Sequence, residues 1–107
     1  MRVSFLYFEE CPSHEQALER LREVMAEEGI SSKVEVFEVE TEDRARELRF
    51  VGSPTIRVDG RDIDPPGDAR YVLACRAYRL EDNRISPLPS RAMIRRALRS
   101  AAKGRPG

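Results

Sequence analysis

Val3, Phe5, Leu6, Tyr7 and Phe8 make the first apolar run, and Ser4 alone interrupts it. Such a run over Met1–Phe8 predicts a central strand covered on both faces. Glu9-Glu10-Cys11-Pro12-Ser13 follows as a short loop, with Pro12 suited to a first helical turn and Ser13 with Gln16 matching a capping box. Ala17, Leu18, Leu21, Val24 and Met25 then fall on one stripe of a helix that Gly29 ends. Lys33–Val39 alternates as a half-buried strand, with Val34 and Val36 on one face and Phe37 and Val39 on the other. Thr41 caps a short charged helix over Glu42–Arg49, ending near Gly52.

Thr55–Val58 predicts a third strand, and Asp59-Gly60 a two-residue hairpin turn into Arg61–Ile63. Asp64-Pro65-Pro66-Gly67-Asp68 breaks the pattern. Tyr71–Leu80 supports two readings: Val72, Ala74, Arg76 and Tyr78 alternate as in a strand, while Leu73, Ala77 and Leu80 suit a helix. Glu81-Asp82-Asn83 reads as a turn. Ser90 caps a last helix to about Ala102, with Met93, Ile94, Ala97, Leu98 and Ala101 on its apolar face and arginines elsewhere; 103–107 is expected to fray. The order predicts one α/β domain over 1–107. It is a mixed sheet with helices on both faces, parallel across the first two β–α–β connections and antiparallel at the hairpin.

At 107 residues the chain is long enough for one core without metals or disulfides to hold it. No apolar run nears the roughly 20 residues of a membrane span, and the N-terminal run lacks the form of a secretory signal, so a cytoplasmic protein is expected. Its 19 basic and 19 acidic residues exclude a bulk basic nucleic-acid binder. The balance hides an asymmetry: residues 1–42 hold 11 acidic and 4 basic side chains, residues 43–107 hold 8 and 15. The basic C-terminal stretch would suit nucleic acid or an acidic partner, but no nucleic-acid module accompanies it, and a solvated helix face accounts for it.

Two cysteines, Cys11 and Cys75, stand 64 positions apart. They make neither a disulfide scaffold nor a four-ligand zinc site, and His14 is the single histidine, so no metal or cofactor is assigned. Cys11 sits where a strand passes into a helix N-terminus, whose unpaired N–H groups and dipole favour a thiolate. A protonated His14 would add to that, and Glu9 and Glu10 would oppose it. Gly52-Ser53-Pro54-Thr55 precedes the third strand. A cis Ser53–Pro54 bond there would turn the Ser53 backbone towards the helix end, where a substrate peptide could pair with it as an added strand.

Taken together, the strand VSFLYF, the Cys11-Pro12-Ser13-His14 motif, the SPT proline and the VDGRDI hairpin resemble the thioredoxin-like superfamily. The series FEECPS, FVGSPTIRVDGRDIDP and ACRAY also resembles small bacterial proteins labelled thioredoxin-like, alkylmercury-lyase-like or selenoprotein-related. The resemblance implies a thioredoxin-like fold, Cys11 as the nucleophile and Pro54 as the cis-proline, with Pro12, Ser53 and Thr55 beside the substrate. His14 stands where thioredoxin has its second cysteine. A mixed disulfide on Cys11 would then be resolved by Cys75 or by an external thiol, the other reading of Cys75 being a buried structural thiol. The expected function is thiol–disulfide oxidoreduction on a protein or small-molecule disulfide. The alternatives are a non-catalytic binding module and, ranked below it, organomercurial or soft-metal handling.

Overall fold

The Val3–Tyr7 strand, β1, lies inside a four-stranded sheet and covers its apolar side chains on both faces. The computed structural model describes residues 1–65, 67 and 70–103. Part of the Asp64–Asp68 break and the tail from 104 lie outside the described residues. Along the chain follow α1 (His14–Glu27), β2 (Val34–Glu38), α2 (Glu42–Leu48), β3 (Thr55–Val58), β4 (Arg61–Asp62), β5 (Tyr78–Arg79), β6 (Ile85–Ser86) and α3 (Arg91–Lys103). The main sheet has the order β2-β1-β3-β4, and β5 and β6 form a separate pair.

Strand alternation divides the core. Val3 and Phe5 of β1 point to one face, where Ile56 and Val58 join Ala17, Leu21, Val24 and Met25 of α1 and Ile94 and Leu98 of α3. Leu6 points to the other face and meets Val39, Ala45 and Phe50 around α2. The mixed sheet therefore carries helices on both faces. The helix ends follow local chemistry. Thr41 Oγ1 accepts the Arg44 N–H at 3.1 Å. At the end of α1, Gly29 takes φ +70° and the Ile30 N–H reaches the Met25 carbonyl at 2.9 Å, a Schellman closure.

Two expectations are corrected. Ser13 precedes α1 with no side-chain cap bond, and its hydroxyl faces Cys11 instead. The second β–α–β connection is not parallel. β1 and β2 pair in parallel, Tyr7 opposite Glu38, but β1 and β3 pair antiparallel, Leu6 opposite Thr55. The seven-residue α2 joins β2 to β3 without returning the chain to the far end of the sheet. The chain therefore leaves β2 and begins β3 at the same end of the sheet, the end where β1 runs into Cys11.

The arginines of α3 lie on its exposed side, the solvated face expected from the sequence, and three of them are paired there. Arg91, Arg95 and Arg99 form ion pairs with Glu23, Glu27 and Glu28 of α1; Arg99 Nε lies 2.7 Å from Glu28 Oε1. The acidic partner of the basic stretch is the first helix of the same chain. No helix among the described residues is long and apolar enough to cross a membrane.

Leu98 is fully buried, so Leu98→Ala should lower stability by roughly 2–5 kcal/mol, whereas Arg99→Ala at an exposed pair should leave it nearly unchanged, both read from urea unfolding. The Glu28 carboxyl is held below its ordinary value first by the Arg99 hydrogen bond, with burial opposing and the Arg99 and Arg95 charges adding. Its stabilisation is therefore in place above the ordinary carboxylate pKa of about 4.3 and is lost as pH falls through the depressed folded value. Glu28→Gln should make the acid limb of a stability–pH profile shallower.

Candidate functional site

The turn Phe8–Ser13 delivers Cys11 from β1 to the start of α1, with the Cys11 N–H bonded to the Phe8 carbonyl at 3.0 Å. Cys11 is fully buried. Its sulfur lies 3.6 Å from the Ser53 carbonyl oxygen and 3.6 Å from the Ser13 hydroxyl. The Ser53–Pro54 bond is cis. Ser53 is itself buried, and its hydroxyl accepts the Phe8 N–H at 2.9 Å, tying the end of β1 to the segment before β3. Thr55 Oγ1 donates to the Gly52 carbonyl at 2.6 Å and closes that turn.

Cys75 reaches the same place from the segment whose reading was open between strand and helix. The segment is not helical: it ends in β5, and ahead of β5 Ser53 and Cys75 form an isolated parallel bridge, in which the Ser53 N–H donates to Ala74 O at 2.7 Å and the Arg76 N–H donates to Ser53 O at 2.9 Å. Cys11 and Cys75 are joined as a disulfide, their Cα atoms 5.6 Å apart, within the ordinary range for such a bond. The two sulfurs differ in access, since Cys11 is buried and Cys75 lies in an exposed position.

A buried ion pair anchors this strap. Arg76 Nη1 and Nη2 donate to the two carboxylate oxygens of Asp62 at 2.7 and 2.9 Å, and Nη2 also reaches the Asp64 carbonyl. Asp62 additionally accepts the Asp64 N–H at 2.8 Å. Burial, the largest single influence, pulls the Arg76 pKa down, but the Asp62 hydrogen bonds together with the Tyr78, Asp62 and Asp64 charges outweigh it, and the net direction is up. The Arg76 guanidinium stacks 4.4 Å from the Tyr78 ring centroid, and the Tyr78 hydroxyl donates to the Pro54 carbonyl at 2.5 Å. Burial pushes the Tyr78 phenol well above its ordinary value, keeping it a donor. Gly52 has φ +131°, and a Cβ there would stand 3.0 Å from Arg76 Cβ, so the strap and the turn before β3 meet where only glycine fits.

His14 opens α1 and stacks on Tyr7 with ring centroids 4.5 Å apart. Its Nε2 lies 3.6 Å from Glu9 Oε2. Pro12 is exposed at the turn. The structure thus gathers Cys11, Ser53, Pro54 and Cys75 at one end of the sheet, with Pro12 and His14 flanking Cys11 in the chain. The sequence did not single out Asp62, Arg76 or Tyr78 as anchors. The signal for Arg76 and Tyr78 was present in the alternation of Ala74, Arg76 and Tyr78, which puts a charge in phase with a large aromatic. No group of three or more His, Cys, Asp or Glu among the described residues is placed to hold a metal ion.

Compared with protein-family models, curated proteins and solved structures, the chain matches none.

Removing one partner of the Arg76–Asp62 pair leaves a buried charge uncompensated. Arg76→Ala should therefore cost about 3–5 kcal/mol in urea unfolding of the oxidised protein. Asp62→Asn should also destabilise, and the double variant should lose less than the sum of the two.

Proposed function

We propose that this protein is a thiol–disulfide oxidoreductase of the thioredoxin-like kind. It works by opening and closing the Cys11–Cys75 disulfide. The observation that carries this reading is the pairing itself: two cysteines 64 positions apart meet where a helix begins and where the cis Ser53–Pro54 turn enters β3. Support for the fold comes from the strand order β2-β1-β3-β4, with α2 on one face and α1 and α3 on the other.

Cys11 is the thiol that the fold favours as a thiolate. The start of α1 offers unpaired N–H groups and the positive end of a 14-residue helix, which favour its thiolate over its thiol. Cys75 supplies the second thiol that position 14 lacks, and an approach within bonding range gives the closing step a high effective concentration. The net reaction oxidises two external thiols to their disulfide while the protein disulfide becomes two thiols, and it runs in reverse on a substrate disulfide. In a reducing cytoplasm, the location the sequence suggests, such a pair turns over rather than staying closed.

Reduction of a test protein disulfide under a fixed supply of glutathione checks the reading. The wild type should raise the rate above that of glutathione alone. Cys11→Ala and Cys75→Ser should each return it to that level. Equal rates with and without the wild-type protein, its disulfide remaining closed throughout, would leave Cys11–Cys75 a structural crosslink and sink the proposal.

A further inference from the structure

The Ser53 backbone is the place where an incoming peptide would add as a strand to reach Cys11, and the chain already fills it. Both hydrogen-bonding groups of Ser53 are taken by Ala74 and Arg76 of the strap. The strap cannot be displaced without breaking the Arg76 contacts to Asp62 and Asp64 and the tight approach of Arg76 to Gly52. Behind it Cys11 is fully buried, while Cys75 lies in an exposed stretch with Ala74 beside it. Thiol–disulfide exchange requires the attacking thiolate to reach one sulfur in line with the bond it breaks, so access decides which sulfur is attacked.

Resting on the oxidoreductase reading above, we infer that the external partner is carried on Cys75, not on Cys11. A partner thiolate attacks the Cys75 sulfur. The new bond joins the partner sulfur to Cys75, the Cys11–Cys75 bond breaks, and Cys11 leaves with the electron pair as a thiolate at the start of α1. A second partner thiolate then attacks the partner sulfur of the mixed disulfide, releasing the partner disulfide and the Cys75 thiolate, which takes a proton from water. In the reverse direction a substrate disulfide is captured by Cys75, and the Cys11 thiolate attacks the Cys75 sulfur to expel the substrate thiolate. This inverts the order that the Cys11-Pro12-Ser13-His14 motif suggests: Cys11 acts inside the protein and Cys75 meets the outside. Because the Ser53 edge is occupied, the partner gains nothing from pairing as a strand. The class of partner that fits is a small thiol or disulfide such as glutathione.

The test uses two reduced variants, Cys11→Ala and Cys75→Ser, each mixed with oxidised glutathione and followed by intact mass, with circular dichroism confirming that both are folded. Cys11→Ala should take up glutathione at Cys75 about tenfold faster or more than Cys75→Ser does at Cys11, since a buried thiol reacts only through local opening. A wild-type measurement covers the case in which a variant does not fold. Oxidised protein given excess glutathione and quenched with a fast alkylating reagent should carry glutathione on Cys75 and the alkyl group on Cys11. Glutathione on Cys11 with alkyl on Cys75, or uptake by Cys75→Ser as fast as by Cys11→Ala, would overturn the inference. Preferential capture at Cys75 without any gain in disulfide turnover by the wild type would instead overturn the oxidoreductase reading and leave this assignment standing.

Discussion

Ser53 is the joint on which the arrangement depends. Its side chain accepts the Phe8 N–H at the end of β1, its own N–H goes to Ala74, and its carbonyl accepts from Arg76. A buried residue with polar groups on three sides has to satisfy them all, because an unpaired buried donor or acceptor costs about 1–3 kcal/mol. Satisfying them draws three distant stretches of chain to one point. Cys11 and Cys75 come within bonding range as a result, although neither is near the other in sequence.

The strap that brings Cys75 has little regular structure of its own, and its position is set by polar contacts. Arg76 supplies a planar fork that matches the Asp62 carboxylate, and the same guanidinium lies over Tyr78, whose hydroxyl returns to Pro54. Such a buried pair is weak as a source of net stability and strong as a source of position. It holds the exposed cysteine over the buried one while leaving the outer side of Cys75 open. Placement by polar anchors also explains why the segment carries no clear helical or strand signature.

The remainder of the molecule keeps that end of the sheet rigid. α1 and α3 share one apolar face and are further joined along their edges by the arginine–glutamate pairs. Individually these pairs are exposed and worth little, but they give the two helices a fixed register. α2 lies on the opposite face, and the chain turns back at the end where β2 left the sheet. That return sets Ser53 and Pro54 beside the start of α1.

Much of this was legible in the residues alone. Val3–Phe8 reads as a buried strand because its apolar run is unbroken, and the α1 and α3 stripes read as helices because their spacing follows the helical period. Thr41, Gly29 and Asp59-Gly60 mark ends and turns whose geometry is local, and each takes the conformation its chemistry calls for. Cys11 at the strand–helix passage and the proline before β3 were visible for the same reason. The direction of β3 was not, since strand pairing is a long-range contact that no local pattern encodes. Nor were the partners of the α3 arginines, Asp62 or Arg76, because a charge pattern shows that a side chain is polar and not which opposite charge the fold sets beside it. The meeting of Cys11 and Cys75, and which of the two faces solvent, were decided by tertiary structure alone. A separation of 64 residues carries no local signal, and burial is a property of everything packed around a residue rather than of the residue itself.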